Sequence, residues 1–134
     1  MTLRPRLFVK TLWLSSVLLT SVAMSPGQAQ EPASVYHTVI FWMKPGTPDS
    51  KVAEIIRNTK SFETLPMVEQ VLVGTPIESE RKVVDDSFTL AFTMTFKDEA
   101  ALAAYNADAN HKKISSQVTL PHVMRGVIYD YKSQ

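Results

Sequence analysis

The chain has no cysteine among its 134 residues. That absence excludes disulfide staples, thiolate nucleophiles and zinc sites built on thiolates. Glycine is almost as sparse, at four residues, all isolated. No glycine-rich phosphate loop can be built from them, and no GxSxG nucleophile elbow or haem-attachment motif is present. No two histidines have the spacing of an HxxxH metal helix. Internal repeats and low-complexity tracts are missing too. With no disulfides, a small domain must rely on its hydrophobic core or on a partner subunit.

What the sequence does have begins with a targeting pattern. MTLRPRLFVK carries Arg4, Arg6 and Lys10 and no acid, and residues 11–24 (TLWLSSVLLTSVAM) run apolar. That run is short for a transmembrane helix but suits a signal peptide, and Gly27 and Ala29 fit a signal-peptidase site. We expect cleavage after Ala29, a periplasmic location, and no stable membrane insertion afterwards. Without cysteine, a lipid-anchored form is excluded. Loss of residues 1–29 takes Lys plus Arg from 14 to 11 against 13 acids, and the formal charge from +1 to −2. A domain so nearly neutral has no electrostatic footprint for nucleic acid. Residues 30–34 read as a disordered tether and 35–132 as one folded domain.

Within that domain, VYHTVIFWMK (35–44) is β-branched and aromatic and reads as a strand. Both parities are apolar, with His37, Val39, Phe41 and Met43 on one face and Tyr36, Ile40 and Trp42 on the other. A strand apolar on both faces is covered on both. Thr47 followed by Pro48 predicts a helix start, Thr47 as N-cap, and Val52, Ile55, Ile56, Thr59, Phe62 and Leu65 recur at helical spacing until Pro66. MVEQVLVGTP (67–76) is a second strand, followed by a polar hairpin connection. SFTLAFTMTF (87–96) alternates large apolar residues with Thr89, Ala91, Thr93 and Thr95. Asp98 caps a helix to about residue 107. Asn110 is the expected N-cap of a short third helix ended by Pro121, and HVMRGVIYDY (122–131) is the last strand. Gly74 and Gly126 are expected at strand bulges.

This order is the βαββαβ, ferredoxin-like α+β arrangement, whose four-stranded antiparallel sheet carries helices on one face only. Two such sheets packed across a two-fold axis would bury the other face, so the expected partner is a second copy of the chain, in a dimeric α+β barrel.

The candidate chemistry falls on three residues. His37 is mid-strand on an apolar face, either a satisfied core histidine or a pocket group able to move a proton near neutrality. The segment YNADANH places Tyr105 at a helix end and His111 at the start of the next helix. There the helix dipole disfavours an imidazolium and keeps the ring neutral, as a general base requires. Val39, Phe41 and Thr93 are the candidate pocket-lining residues. No metal and no cofactor are expected.

VYHTVIFWMKPG, LPMVEQVLVG, FTLAFTMTFKDEAALAAYNADANH and the terminal VIYDY together resemble the stress-responsive dimeric α+β barrel (Dabb) domain, over about residues 35–131. The resemblance implies a homodimer with a pocket between sheet and helices. It also implies a possible activity, because one plant member, an olivetolic acid cyclase, closes a linear polyketide by aldol chemistry without a cofactor. Its catalytic histidine and tyrosine fall on His111 and Tyr105, and its pocket histidine on His37. The family pattern is closer to Tyr-x-x-His-Pro-x-His, and here Asp108 and Ala109 stand in place of the first histidine and the proline. Export would also separate the domain from cytosolic coenzyme A thioesters. Two functions follow as expectations: cofactor-free acid–base chemistry on a small apolar carbonyl or phenolic compound, or a non-catalytic, stress-related binding or structural role in the cell envelope. Haem handling, which related dimeric barrels perform, is a weaker third.

Overall fold

The computed structural model describes residues 34–134; the expected signal peptide and most of the tether lie outside the described residues. The elements are β1 (Val35–Met43), α1 (Asp49–Ser61), β2 (Gln70–Gly74), β3 (Leu90–Phe96), α2 (Glu99–Ala107), α3 (Ala109–Ile114) and β4 (Val123–Lys132). The four strands form one antiparallel sheet in the order β2-β3-β1-β4. This is the ferredoxin-like α+β arrangement.

β1 is central, and its odd-numbered residues are all buried while the even-numbered ones are half-buried. The odd face carries the core. Val39, Phe92, Met94 and Phe96 from the sheet meet Ile55, Phe62 and Leu102 from the helical layer. Among the described residues no helix covers the even face. On it Tyr36 stacks on Tyr131 with ring centroids 5.0 Å apart, and the Arg125 guanidinium lies 4.3 Å from the centre of the Trp42 ring.

α1 starts one residue later than expected. Pro48, in extended conformation, occupies the N-cap position, and the Thr47 hydroxyl turns back to donate to the Lys44 carbonyl at 2.8 Å. A residue before proline is held out of the helical region, so Thr47 closes the preceding turn, where Gly46 has φ +79°. The same rule ends the helix. After a tight turn at Phe62–Thr64, Leu65 is extended because Pro66 follows it.

β2 and β3 are shorter than their apolar runs. Ser87 is tied to Asp85 by its amide and its hydroxyl, which leaves the strand to begin at Leu90. Asp98 caps α2 by accepting from the Ala101 amide at 2.8 Å, as its position predicts.

The helix pair differs from expectation in a way that matters below. Asp108, not Asn110, is the N-cap of α3, accepting from the His111 amide at 2.8 Å. Beyond Ile114 the backbone widens into a π-helical turn at Ser115–Thr119, then tightens at Leu120–His122.

Of the two glycines expected at bulges, Gly74 pairs in regular register with Ala91. The irregularity is in β4, where the partner of β1 jumps from Arg125 to Val123 and leaves Met124 extra. Gly126 lies beside it for a different reason: a Cβ there would sit 3.1 Å from the Phe41 ring.

Candidate functional site

A cavity of about 230 Å³ opens between the inner face of the sheet and the roof formed by α1, α2, α3 and the π turn. β1 brings His37, Val39 and Phe41 to its floor, α2 brings Tyr105, and α3 brings His111. The alternation of β1 explains the first set, since residues two apart share a face. The second set follows from Asp108. By ending α2 and capping α3 it folds the six-residue interval of YNADANH into a corner, so the side chains at its two ends meet. The Tyr105 and His111 rings stack at 4.0 Å and 26°, and His37 meets Tyr105 edge-on at 5.9 Å.

Thr93 is the exception among the candidates. Its side chain is on the opposite face of β3, where its hydroxyl shares a 2.9 Å hydrogen bond with Thr38. Position 92, not 93, has the parity of the core, and Phe92 lines the cavity instead. His122 does not line the cavity; it ends the tight turn just before β4.

The surroundings give the three groups distinct characters. Tyr105 is 1% exposed. Burial and then the negative charge of Asp108 push its hydroxyl well above the usual phenol range. It is therefore a hydrogen-bond donor at any physiological pH. Burial lowers the pKa of His111, His37 and Lys112 add to the effect, and the Tyr105 carbonyl and Asp108 oppose it. His111 Nδ1 is buried without a hydrogen-bond partner. His37 donates from Nδ1 to Asp130 Oδ1 at 2.6 Å. The ring is buried and the carboxylate is 50% exposed.

Other polar groups on the wall are Thr59, Asn106, Ser115 and Thr119. No Lys or Arg lines the cavity, and Leu120 and Ile128, each more than half exposed, form an apolar rim. The arrangement suits a neutral ligand with one polar group presented to Tyr105 and the imidazoles. Among the described residues no group of three His, Asp or Glu side chains converges to hold a metal ion, and no helix is long and apolar enough to cross a membrane.

Asp130, in the terminal VIYDY, is the residue whose tie to His37 the sequence alone does not show. Its signal was available only through register: β1 and β4 pair antiparallel with His37 opposite Asp130, which puts both side chains on one face.

Fold and cavity together define a ferredoxin-like α+β protein with a largely apolar pocket under its helices. The chain belongs to the Dabb family, the stress responsive A/B barrel domain, whose model matches residues 35–133. A solved protein from Arabidopsis thaliana is 24% identical, with a TM-score of 0.66 over 75% of this chain and 95% of its own. A ferredoxin-like Dabb protein from Mesorhizobium loti is 20% identical, with a TM-score of 0.64 over 76% of this chain and 98% of its own. Hydroxynitrile lyase from Passiflora edulis is 19% identical, with a TM-score of 0.70 over 77% and 95%. Other structural neighbours are described as dimeric ferredoxin-like proteins of unknown function. No curated protein matches the sequence.

Proposed function

We propose that this protein is an exported homodimer that binds a small, neutral, apolar carbonyl or phenolic compound in each cavity and performs cofactor-free acid–base chemistry on it. The observation that carries this reading is the cluster of His37, Tyr105 and His111 on the wall of one apolar cavity. Neutral His111 would accept a proton from carbon or oxygen of the ligand. Tyr105 would donate a hydrogen bond to the oxygen on which negative charge develops. His37 would orient the ligand or share the proton. That a hydroxynitrile lyase has this fold lends the reading support, since it places chemistry on a small compound within the same architecture. The dimer is supported by the apolar, helix-free outer face of β1 and by neighbours described as dimeric. Export is supported by the pattern of residues 1–29.

The second reading, a binding protein without turnover, has its own support. Burial and Asp108 hold the Tyr105 hydroxyl in its protonated form, which can donate to a ligand's polar group with or without any turnover.

Native mass spectrometry of the protein taken from its own cell envelope tests both readings. A dimer starting at Gln30 and carrying an organic adduct, lost in the Tyr105→Phe, His111→Ala variant, supports the pocket. Turnover of that compound, abolished by the same changes, separates catalysis from binding. A dimer with no adduct, to which no carbonyl or phenolic compound can be added back, overturns the pocket reading. A monomer overturns the dimer.

A further inference from the structure

One polar contact of the cavity leads out of it. His37 is 6% exposed and lines the cavity, yet its Nδ1 is bound to a carboxylate that is half in solvent. The outer side of Asp130 faces a second, solvent-open cleft, which Val35, Leu102, Tyr131 and the Glu99–Lys132 ion pair also line. Asp130 is thus the one group shared by the cavity's histidine and that cleft. A carboxylate accepting from Nδ1 fixes the imidazole in the Nδ1–H form and leaves Nε2 as the nitrogen free to act in the cavity. The buried Nδ1 of His111 makes no such hydrogen bond to a carboxylate.

We propose that Asp130 is the positioning residue through which the site exchanges protons with solvent. This assignment rests on the acid–base reading of the cavity. Nε2 of neutral His37, sharing the role of base with His111, takes a proton from an O–H or C–H of the ligand, and the ligand atom keeps the electron pair. The imidazolium releases its Nδ1 proton to Asp130, which passes it to water in the outer cleft. In the reverse sense, a solvent proton enters through Asp130 to Nδ1 and the Nε2 proton goes to the product. The titratable groups around this path are Tyr105 and His111 on the cavity side and Glu99, Tyr131 and Lys132 on the solvent side.

The test begins on the ligand-free protein, so that it does not depend on the pocket reading. Long-range ¹H–¹⁵N spectra of the histidine rings report which nitrogen of His37 carries the proton, and line widths report how fast the Nδ1 proton exchanges with water. The wild type is expected to show the Nδ1–H form. Asp130→Asn, whose amide oxygen can still accept from Nδ1 but cannot take up the proton, is expected to keep that form and slow the exchange by roughly tenfold or more. Asp130→Glu restores fast exchange. A wild-type His37 in the Nε2–H form, or exchange unaffected by Asp130→Asn, overturns the proposal.

A second arm uses phenylacetone as a probe and follows deuterium uptake at its α-carbon in heavy water. Uptake that falls in Asp130→Asn while probe binding is unchanged places the relay in the chemistry. No uptake in the wild type, with the spectra as expected, tells against the acid–base reading and leaves Asp130's contact with solvent intact. The relay as a catalytic device falls with it.

Discussion

Tyr105 and His111 are stacked ring on ring at 4.0 Å, while the edge of Tyr105 faces His37. The tyrosine is therefore both a wall of the core and the group between two imidazoles. Tyr105→Phe keeps the ring and its contacts with Phe62 and Phe96. Its stability should stay within about 1 kcal/mol of the wild type, whereas Tyr105→Ala should cost about 3–5 kcal/mol, as large aromatic deletions do. Urea unfolding measures both. Loss of ligand binding in the folded Phe variant then belongs to the hydroxyl alone.

His111 makes stability depend on pH. Its folded pKa lies below the ordinary 6.5, so below that value the unfolded chain binds more protons than the folded one. Stability then falls with falling pH, beginning as the pH drops through the unfolded value and levelling off below the folded one. Thermal midpoints should begin to drop as the pH falls below about 7.5 and keep dropping through the ordinary histidine range. His111→Phe removes this component. It also deletes a buried nitrogen that has no partner, so it should raise stability at neutral pH by about 1 kcal/mol. A variant that is less stable, or equally acid-sensitive, contradicts this account.

Asp108→Ala removes the cap on α3. A lost N-cap costs about 1 kcal/mol. Because the cap binds the amide of His111 itself, the change should also disturb the His111 ring, visible as altered shifts of both Tyr105 and His111 in NMR spectra. Asp108→Asn, which retains the acceptor, should preserve them.

Gly126→Ala places a methyl against the Phe41 ring at 3.1 Å. The ring can yield only toward the cavity it lines. We expect a cost of about 1–2 kcal/mol from overpacking, together with weaker binding of any ligand that fills the pocket. Calorimetry on one ligand, wild type against variant, decides it.

Ile40→Glu puts a carboxylate in the middle of the helix-free face, between Thr38 and Trp42. If that face meets a second copy, the charge is buried without a partner and the dimer dissociates at micromolar concentration. Sedimentation velocity should show a folded monomer; an unchanged dimer would move the interface elsewhere.

Much of this molecule is legible in its sequence, and the unequal success has physical causes. Strands and their faces are legible because period-two alternation in 35–43 and 90–96 is a direct image of burial. The pairing of Tyr105 with His111 came through resemblance, not through spacing, since six residues across two helices fix no distance until Asp108 is known to join them. Thr93 was misplaced because the small face of its strand looked like a cavity wall, when the large face, with Phe92, lines it. Asp130 stands in the VIYDY that carries part of the resemblance, but its pairing with His37 is not legible, because the two lie far apart in the chain and only register brings them opposite. The capping error at Thr47 came from reading residue type without the restriction that Pro48 imposes.

The cavity's floor and roof are made of different material. The floor is paired strand, where a shift of one residue would turn every side chain over. The roof from Ala109 onward is a six-residue helix, a widened turn and a tight one, held by few repeating bonds. Insertions and deletions can accumulate in such a segment without disturbing the sheet below. A change of length or shape there would remodel the covering of the cavity, while the imidazole of His37 stays where the sheet puts it.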